Sequence, residues 1–353
     1  MSVQNIRNVR IAGISAAVPK NIVENRTCGL FDSAEEYEKF AASVGVERRR
    51  VISEKGQCCS DLCQHAAEQL LADLNWDKNE VDLLVYVSQS MDYILPATAC
   101  CIQERMHLSS DCMAFDIGLG CSGWTYGLGV VCGMMQSGNF RKALLLAGDA
   151  KSDPENGRNK GHDTLFGAAG TATALVFDTT ASAMLVESGT DGSGYEAIIK
   201  KCGASRYPLA EKALEWRHDE NGNITRDIET HMDGPSVFIF GITRVPKCIK
   251  SILTKAGETV DNTDLFLFHQ ANLMMNEKIR KKCKIPVEKG PYSLRDFGNN
   301  SSASIPLTIV TQVAAQVADK PCKIVACGFG VGLSWSTVYT TLQCPVISPL
   351  VEV

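Results

Sequence analysis

The chain has 353 residues, 45% hydrophobic and 21% charged, which suits one large domain or two fused ones and excludes disordered or collagen-like structure. Its 35 Lys and Arg against 40 Asp and Glu leave a net charge of −5, so no bulk positive field recruits nucleic acid or an anionic membrane. No window approaches the roughly 18 uninterrupted apolar residues of a membrane span, and residues 1–10 lack the apolar core of a secretion signal, so a cytoplasmic location is expected.

Internal similarity organises the chain. Asp82-Leu83-Leu84-Val85-Tyr86-Val87 matches Asp264-Leu265-Phe266-Leu267-Phe268 at an offset of 264 − 82 = 182. Lys142-Ala143-Leu144-Leu145-Leu146-Ala147-Gly148 matches Lys323-Ile324-Val325-Ala326-Cys327-Gly328 at 323 − 142 = 181. Each run is short, continuously apolar and bounded by polar or Gly residues, the pattern of a strand buried on both faces. Between them lie helical spacings: Leu62, Ala66, Leu70 and Leu74 in the first half, and Phe238, Val245, Ile249 and Leu253 in the second. Strands alternating with helices predict βαβ units and mostly parallel sheets, in two like halves packed as layers with helices in the middle. The halves are expected at 1–180 and 233–353, with 181–232 as a connection whose segment 201–232 forms an insertion or lid, including a turn signal at 219–223.

Fifteen cysteines sit largely in apolar runs such as Ala99-Cys100-Cys101-Ile102, where a thiol behaves as a small core hydrophobe, so a reducing compartment is expected and a disulfide framework is not. The densest group, Cys58, Cys59 and Cys63, lacks the second pair or the histidines of a zinc site.

Sites in such sheets form where strands end and helices begin. Phe115-Asp116-Ile117-Gly118-Leu119-Gly120-Cys121-Ser122-Gly123 sets Cys121 at a strand-to-helix turn, where the helix dipole and nearby amides are expected to lower a thiol's pKa and make it a nucleophile. Phe268-His269-Gln270-Ala271-Asn272 ends a strand in a histidine, and Asp296-Phe297-Gly298-Asn299-Asn300-Ser301-Ser302 leads through small polar residues into an apolar helix. Each alone has a plainer reading, as a core cysteine, a hydrogen-bonded structural histidine and a helix cap. The repeat joins them: 302 − 121 = 181 makes Cys121 and the Asn-rich turn equivalent helix starts in the two halves. Cys, His and Asn converging from separate segments is an arrangement for covalent acyl transfer from a thioester. Ala326-Cys327-Gly328-Phe329-Gly330-Val331-Gly332 adds a glycine-rich loop whose amides can approach an oxyanion, without the lysine of a phosphate-binding loop.

With these residues assembled, the chain resembles the β-ketoacyl-acyl-carrier-protein synthase III branch of the thiolase-fold enzymes, over nearly its whole length. The resemblance implies the αβαβα thiolase-like fold of two pseudo-repeated halves, with Cys121 as acylated nucleophile, His269 and Asn299 as its catalytic partners, and the Cys121 and Val331 amides as the oxyanion hole. It implies an acyl thioester donor on coenzyme A or a carrier protein, and a malonyl thioester on a carrier protein that loses carbon dioxide to form a β-ketoacyl thioester. No metal or redox cofactor is required by that chemistry. It further implies a homodimer in which Leu95, with Met91 and Ile94, closes an acyl pocket across the interface. Lys160, Phe238 and Asn272 are placed along the donor path, and the basic run Lys278, Arg280, Lys281 and Lys282 is a docking face for an acidic carrier protein or else a solvated helix face. Lys39-Phe40, Ser43 and Pro235 stand where this family usually grips the coenzyme A nucleotide and pantetheine, which favours a carrier-bound or unusual donor, and Met274 replaces a docking arginine. Two other readings stay open: an acyltransferase of the same fold that passes the acyl group to oxygen or nitrogen without decarboxylation, and a non-catalytic scaffold subunit of a condensing heterodimer.

Overall fold

In a computed structural model the described residues are 2–150, 159–218 and 224–353. The turn expected at 219–223 lies outside them.

Two sheets carry the fold. The strands are β1 (Ser2–Ile6), β2 (Val9–Val18), β3 (Leu83–Val87), β4 (Met113–Ile117), β5 (Lys142–Asp149), β6 (Ala169–Phe177), β7 (Met184–Thr190), β8 (Leu265–Phe268), β9 (Cys322–Gly330), β10 (Ser334–Leu342), β11 (Val346–Ile347) and β12 (Val351–Glu352). The first sheet runs β11-β2-β6-β5-β3-β4, with β12 also on β2, and the second runs β1-β7-β10-β9-β8. The principal helices are α1 (Ala34–Val44), α2 (Cys59–Asp73), α3 (Thr98–Arg105), α4 (Gly123–Met135), α5 (Gly234–Ala256), α6 (Leu273–Lys282) and α7 (Ser304–Gln312).

The strict alternation of buried side chains builds five layers. Leu83, Val85 and Val87 of β3 and Leu265 and Leu267 of β8 face inward onto one core with α4 and α7. Leu84 and Tyr86 face outward onto α2 and α3, while Phe266 and Phe268 face outward onto α5 and α6. Successive strand residues point to opposite faces, so a continuously apolar strand is covered by helices on both sides. Helix α4 buries nine of its thirteen residues, as a helix held between two sheets must.

The repeat is visible in the hydrogen bonds. The amide of Asp82 donates to Lys142 O at 2.9 Å and that of Asp264 to Lys323 O at 2.9 Å. Their carboxylates accept from the same partners' amides, Asp82 from Lys142 N at 3.1 Å and Asp264 from Lys323 N at 2.7 Å. Helices α4 and α7 begin 304 − 123 = 181 residues apart.

Two expectations are corrected. The sheets are mixed: β4-β3-β5 and β8-β9 are parallel, but β5-β6, β6-β2, β9-β10, β10-β7 and β7-β1 are antiparallel. Strands β9 and β10 are joined through 331–333, too short for a parallel crossover, so they fold back on each other. The divisions at 180, 232 and 233 also shift. Strand β7, inside the span read as a connection, belongs to the second sheet, and each half lends a terminal strand to the other, β1 to the second sheet and β11 and β12 to the first.

Helix α4 packs closely on the first sheet because a Cβ at Gly127 would stand 2.8 Å from Leu145 Cδ1 and 3.1 Å from Val87 Cγ2. Gly127→Val should therefore lower stability by about 1–3 kcal/mol, the usual cost of overpacking a filled core, read as a shifted urea midpoint at unchanged m-value.

Candidate active site

Cys121 lies in the turn between β4 and α4, partly accessible. Strand β9 runs directly against it. A Cβ on Gly330 (φ +156) would lie 2.6 Å from Cys121 Cβ and 2.8 Å from its Sγ, and one on Gly328 would lie 2.9 Å from the Cys121 carbonyl oxygen. Only glycine leaves room for this approach. Beyond it, the backbone amides of Val331 and of Cys121 itself act on the thiol in the direction that lowers its pKa. The loop is held from the Cys121 side: Ser122 Oγ and Ser334 Oγ are 2.7 Å apart, and Ser334 Oγ donates to Val331 O at 2.8 Å.

His269 ends β8, its amide donating to Cys327 O at 2.9 Å. Its ring is 2% exposed, edge-on to Phe329 with centroids 5.5 Å apart, and its Nδ1 is buried without a hydrogen-bond partner. Burial lowers its pKa from 6.5 to about 4, against a weaker opposing interaction with the Ser301 backbone, so the ring is neutral at pH 7.

Asn299 sits in a turn zipped to 165–167: its amide donates to Leu165 O at 2.9 Å and its carbonyl accepts from Gly167 N at 3.1 Å. Gly298 enables this with φ +66, where a Cβ would meet Leu165 O at 2.5 Å. The side-chain Oδ1 accepts from Ser301 N at 2.9 Å, which orients Nδ2 towards Ala271 O at 3.4 Å and leaves the amide a spare N–H.

The expectation of a lowered thiol pKa is reversed. Burial, the largest effect, raises the Cys121 pKa above its ordinary value, the Val331, Ser301 and Cys121 donors lower it, and the nearby Asp149 carboxylate raises it further. Desolvation outweighs the amides because a thiolate in a protein-lined site loses its water shell.

The other named residues fare unevenly. Lys160 forms an ion pair with Glu36 at 2.5 Å and lies 5.6 Å from the Phe31 ring. Asn272 caps α6, its side chain accepting from Met275 N at 2.8 Å. Its oxygen is therefore spent on the helix, not on a donor, because α6 begins there and its first amides lack intrahelical partners. Phe238 is partly buried against the outer core, with Lys278 Nζ 5.3 Å over its ring. Arg280 does not belong to a docking face: it grips Glu277 at 2.7 and 2.8 Å and donates to Ile285 O at 2.7 Å, since a mostly buried guanidinium needs its own partners. Lys282 Nζ donates to Ile242 O at 3.1 Å. That carbonyl loses its helical partner to Pro246 four residues on, which has no N–H. The exposed charges of the basic run are Lys278 and Lys281, the latter 70% exposed while it pairs with Glu277 at 3.6 Å.

Met91, Ile94 and Leu95 are 59, 83 and 80% exposed in the single chain. The loop bearing them is anchored at its base, where Asp92 N donates to Thr98 Oγ1 at 3.1 Å, Ser60 Oγ donates to Asp92 at 2.8 Å and Arg105 lies 3.6 Å away.

Sequence reasoning missed Asp149, at the end of β5, and assigned no chemistry to Ser301 and Ser302. Asp149 Oδ1 accepts from Gln89 N at 2.8 Å, Ser88 Oγ at 3.1 Å and Ser90 Oγ at 3.2 Å, and Oδ2 from Ser302 N at 3.3 Å and Oγ at 3.1 Å. Ser301 Oγ is 3.9 Å from Cys121 Sγ. The pattern equating Ser302 with Cys121 was the signal for this turn; nothing in sequence pointed to Asp149.

Residues 115–194 match the family described as 3-oxoacyl-[acyl-carrier-protein (ACP)] synthase III, and residues 253–342 match its C-terminal counterpart. A Campylobacter jejuni relative with a provisional 3-oxoacyl-[acyl-carrier-protein] synthase 3 name is 33% identical, covering 93% of this chain and 92% of its own. The β-ketoacyl-[acyl-carrier-protein] synthase III of Rhodopirellula baltica is 30% identical over 94% of this chain and 98% of its own. A solved 3-oxoacyl-(acyl-carrier protein) synthase from Burkholderia xenovorans superposes with a TM-score of 0.91 at 35% identity, covering 100% of this chain and 99% of its own. Fold and site define a thiolase-fold, acyl-transferring condensing enzyme, and the chain belongs to the 3-oxoacyl-[acyl-carrier-protein] synthase III family. Among the described residues no helix is long and apolar enough to cross a membrane.

The neutral, buried His269 makes stability depend on acid. Its folded pKa of about 4 lies below the unfolded 6.5, so the unfolded chain binds more protons between them and stability falls as pH drops through that window. The gap, 6.5 − 4 = 2.5 at 1.36 kcal/mol per pH unit, is about 3 kcal/mol. Denaturation of His269→Gln at pH 7 and pH 4.5 should show a smaller acid loss than wild type; equal losses would contradict the neutral assignment.

Proposed function

We propose that the chain catalyses decarboxylative condensation, with Cys121 carrying the acyl group. The close approach of the β9 backbone at Gly328 and Gly330 to Cys121, which brings the loop amide of Val331 next to the sulfur, carries this reading. The thiolate attacks a thioester carbonyl, and the Val331 and Cys121 amides hold the oxyanion of the tetrahedral intermediate without reorganising. A malonyl thioester then enters. Neutral His269 and the spare N–H of Asn299 donate to the carbonyl oxygen that becomes an enolate as carbon dioxide leaves, and the carbanion attacks the acyl-cysteine. A neutral imidazole suits this step, since it stabilises developing charge without forming a fixed ion pair with the carboxylate about to depart.

A carrier protein is the favoured donor and acceptor platform. The Lys160 cation is taken up by Glu36, and Glu35 and Glu36 occupy the first turn of α1, which leaves that face poor for nucleotide phosphates. Lys278, and Lys281, which is exposed although it pairs with Glu277 at 3.6 Å, supply the charge for an acidic carrier.

A second copy of the chain is the natural neighbour of β4. This strand pairs on one side only, with β3, and its residues are exposed or half-buried, Met113 at 48%. An uncovered apolar edge invites pairing with another chain, and the exposed Ile94 and Leu95 would be covered in the same assembly. Light scattering should give 2 × 38.3 kDa, about 77 kDa; a species of 38.3 kDa at micromolar concentration would remove the shared pocket.

Intact-protein mass spectrometry with acyl-CoAs and acyl-loaded carrier proteins should show one acyl increment that Cys121→Ala abolishes. Asn299→Ala should keep that increment and lose carbon dioxide release from malonyl-carrier protein by about 10²-fold. Ester or amide products formed without carbon dioxide would favour the transfer reading, and absence of any increment across the panel would favour the scaffold reading.

A further inference from the structure

The loop 88–97 is tied down at its start, middle and end, and is bare between the last two. At its start the Tyr86 hydroxyl donates to Ser90 O at 3.0 Å and Ser90 Oγ donates to Ala150 O at 3.0 Å. At its end the Asp116 carboxylate of β4 accepts from the amides of Thr98 and Ala99 at 2.7 and 2.8 Å. Thr98 Oγ1 in turn accepts from Asp92 N at 3.1 Å. Residues 93–97 are all exposed, so packing on the described residues does little to fix Tyr93, Ile94 or Leu95. Their position follows from the anchor that precedes them, Asp92.

Asp92 faces a polar cluster supplied by two helices. Its side chain is 6% exposed and accepts from Ser60 Oγ of α2 at 2.8 Å, and Arg105 Nη1 of α3 lies 3.6 Å away. The same nitrogen donates to Asp61 Oδ1 at 3.0 Å, and Asp61 Oδ2 accepts from Cys58 N at 2.7 Å where α2 begins. One guanidinium nitrogen thus serves two carboxylates. Asp92 Oδ1, Arg105 Nε and Arg105 Nη2 are buried without a hydrogen-bond partner among the described residues. The hold on the loop is therefore that of charge on charge, not of a two-pronged fork. A carboxylate this buried has no water shell to fall back on. Without the guanidinium it must move towards solvent, and Met91, Tyr93 and the exposed tip of the loop move with it.

We propose that Asp92 and Arg105 are positioning residues that set which acyl chain lengths the enzyme accepts, by fixing where the 91–95 loop stands. The inference rests on the reading of Leu95, with Met91 and Ile94, as the wall of the acyl pocket. A wall displaced by the width of one methylene changes the fit of a chain end by the same amount, and one methylene in an apolar pocket discriminates about tenfold or more. The contacts of the pair run to the loop, α2 and α3. Its effect accordingly falls on the acyl donor and leaves His269 and Asn299 in place for decarboxylation.

The test is a single-turnover acylation series. The full chain meets straight-chain acyl-N-acetylcysteamine thioesters from acetyl to decanoyl, and the acyl-enzyme is followed by intact-protein mass spectrometry. Wild type should prefer one length. In Arg105→Met, and in Asp92→Asn, which keeps the size of the side chain and an acceptor for Ser60, that preference over the neighbouring lengths should shrink by about tenfold. Carbon dioxide release from a malonyl thioester should stay unchanged. Arg105→Lys should keep the wild-type preference, because a single nitrogen makes the contacts and an ammonium can take its place. Leu95→Ala reports on the pocket itself. If it alters the preference while Asp92→Asn and Arg105→Met do not, or if those two slow every donor by one common factor, the positioning role is overturned and the pocket reading stands. If Leu95→Ala leaves the preference as it was, the pocket reading fails and the inference with it. Absence of acyl-enzyme from every thioester in wild type removes Cys121 acylation and everything built on it. Asp92→Asn gives the answer alone if Arg105→Met does not fold.

Discussion

The close approach of β9 to Cys121 is the constraint on which the rest of the site depends. Gly328 and Gly330 bring one strand's backbone into contact with a cysteine from the other half of the molecule, and no residue with a side chain permits that distance. The contact sets Val331 beside the sulfur, and the Ser122–Ser334 hydrogen bond keeps it there. Two halves that share only a general topology are thus joined at their single most demanding point by the absence of atoms.

Electrostatics around the sulfur follow from dryness. His269 is neutral and the Cys121 thiol is raised because water has been replaced by protein on most sides. The same exclusion strengthens each remaining dipole, so the Val331 amide, the Asn299 amide and the Ser301 hydroxyl count for more than they would in solvent. Among the described residues no cation acts on the thiol to ionise it, in contrast with a cysteine–imidazolium pair. Nucleophilicity must be produced locally, and the hydrogen-bonded turn at 299–302, which touches Cys121, Asp149 and Asn299 together, is the element that links these groups.

Much of this was legible in the residues. Continuous apolar strands and four-residue helical spacings predicted layered α/β halves, and the 181-residue offset brought Cys121 and the Asn-rich turn into equivalent positions, as their helices α4 and α7 bear out. Arg280 and Lys282 were misread for a common reason: a positive charge on a helix looks solvated in sequence, whereas Glu277 and the carbonyl freed by Pro246 claim these two. The mixed sheet directions were hidden because strand polarity depends on the length of the connection in space, and 331–333 was read as part of a glycine-rich oxyanion loop and not as the tight turn between two antiparallel strands.

The sequence alone determined the periodicities, the repeat and the identity of the chemically able side chains, because these are local properties that each residue carries wherever the chain goes. Tertiary structure alone decided which of them meet. Asp149, 28 residues beyond Cys121 in the chain (149 − 121 = 28), carries no motif, and its partners Ser88, Gln89 and Ser302 come from two other segments. The direction of the Cys121 pKa was likewise beyond the sequence, since the helix start is visible there but the depth of burial that outweighs it exists only once both sheets have closed over the turn.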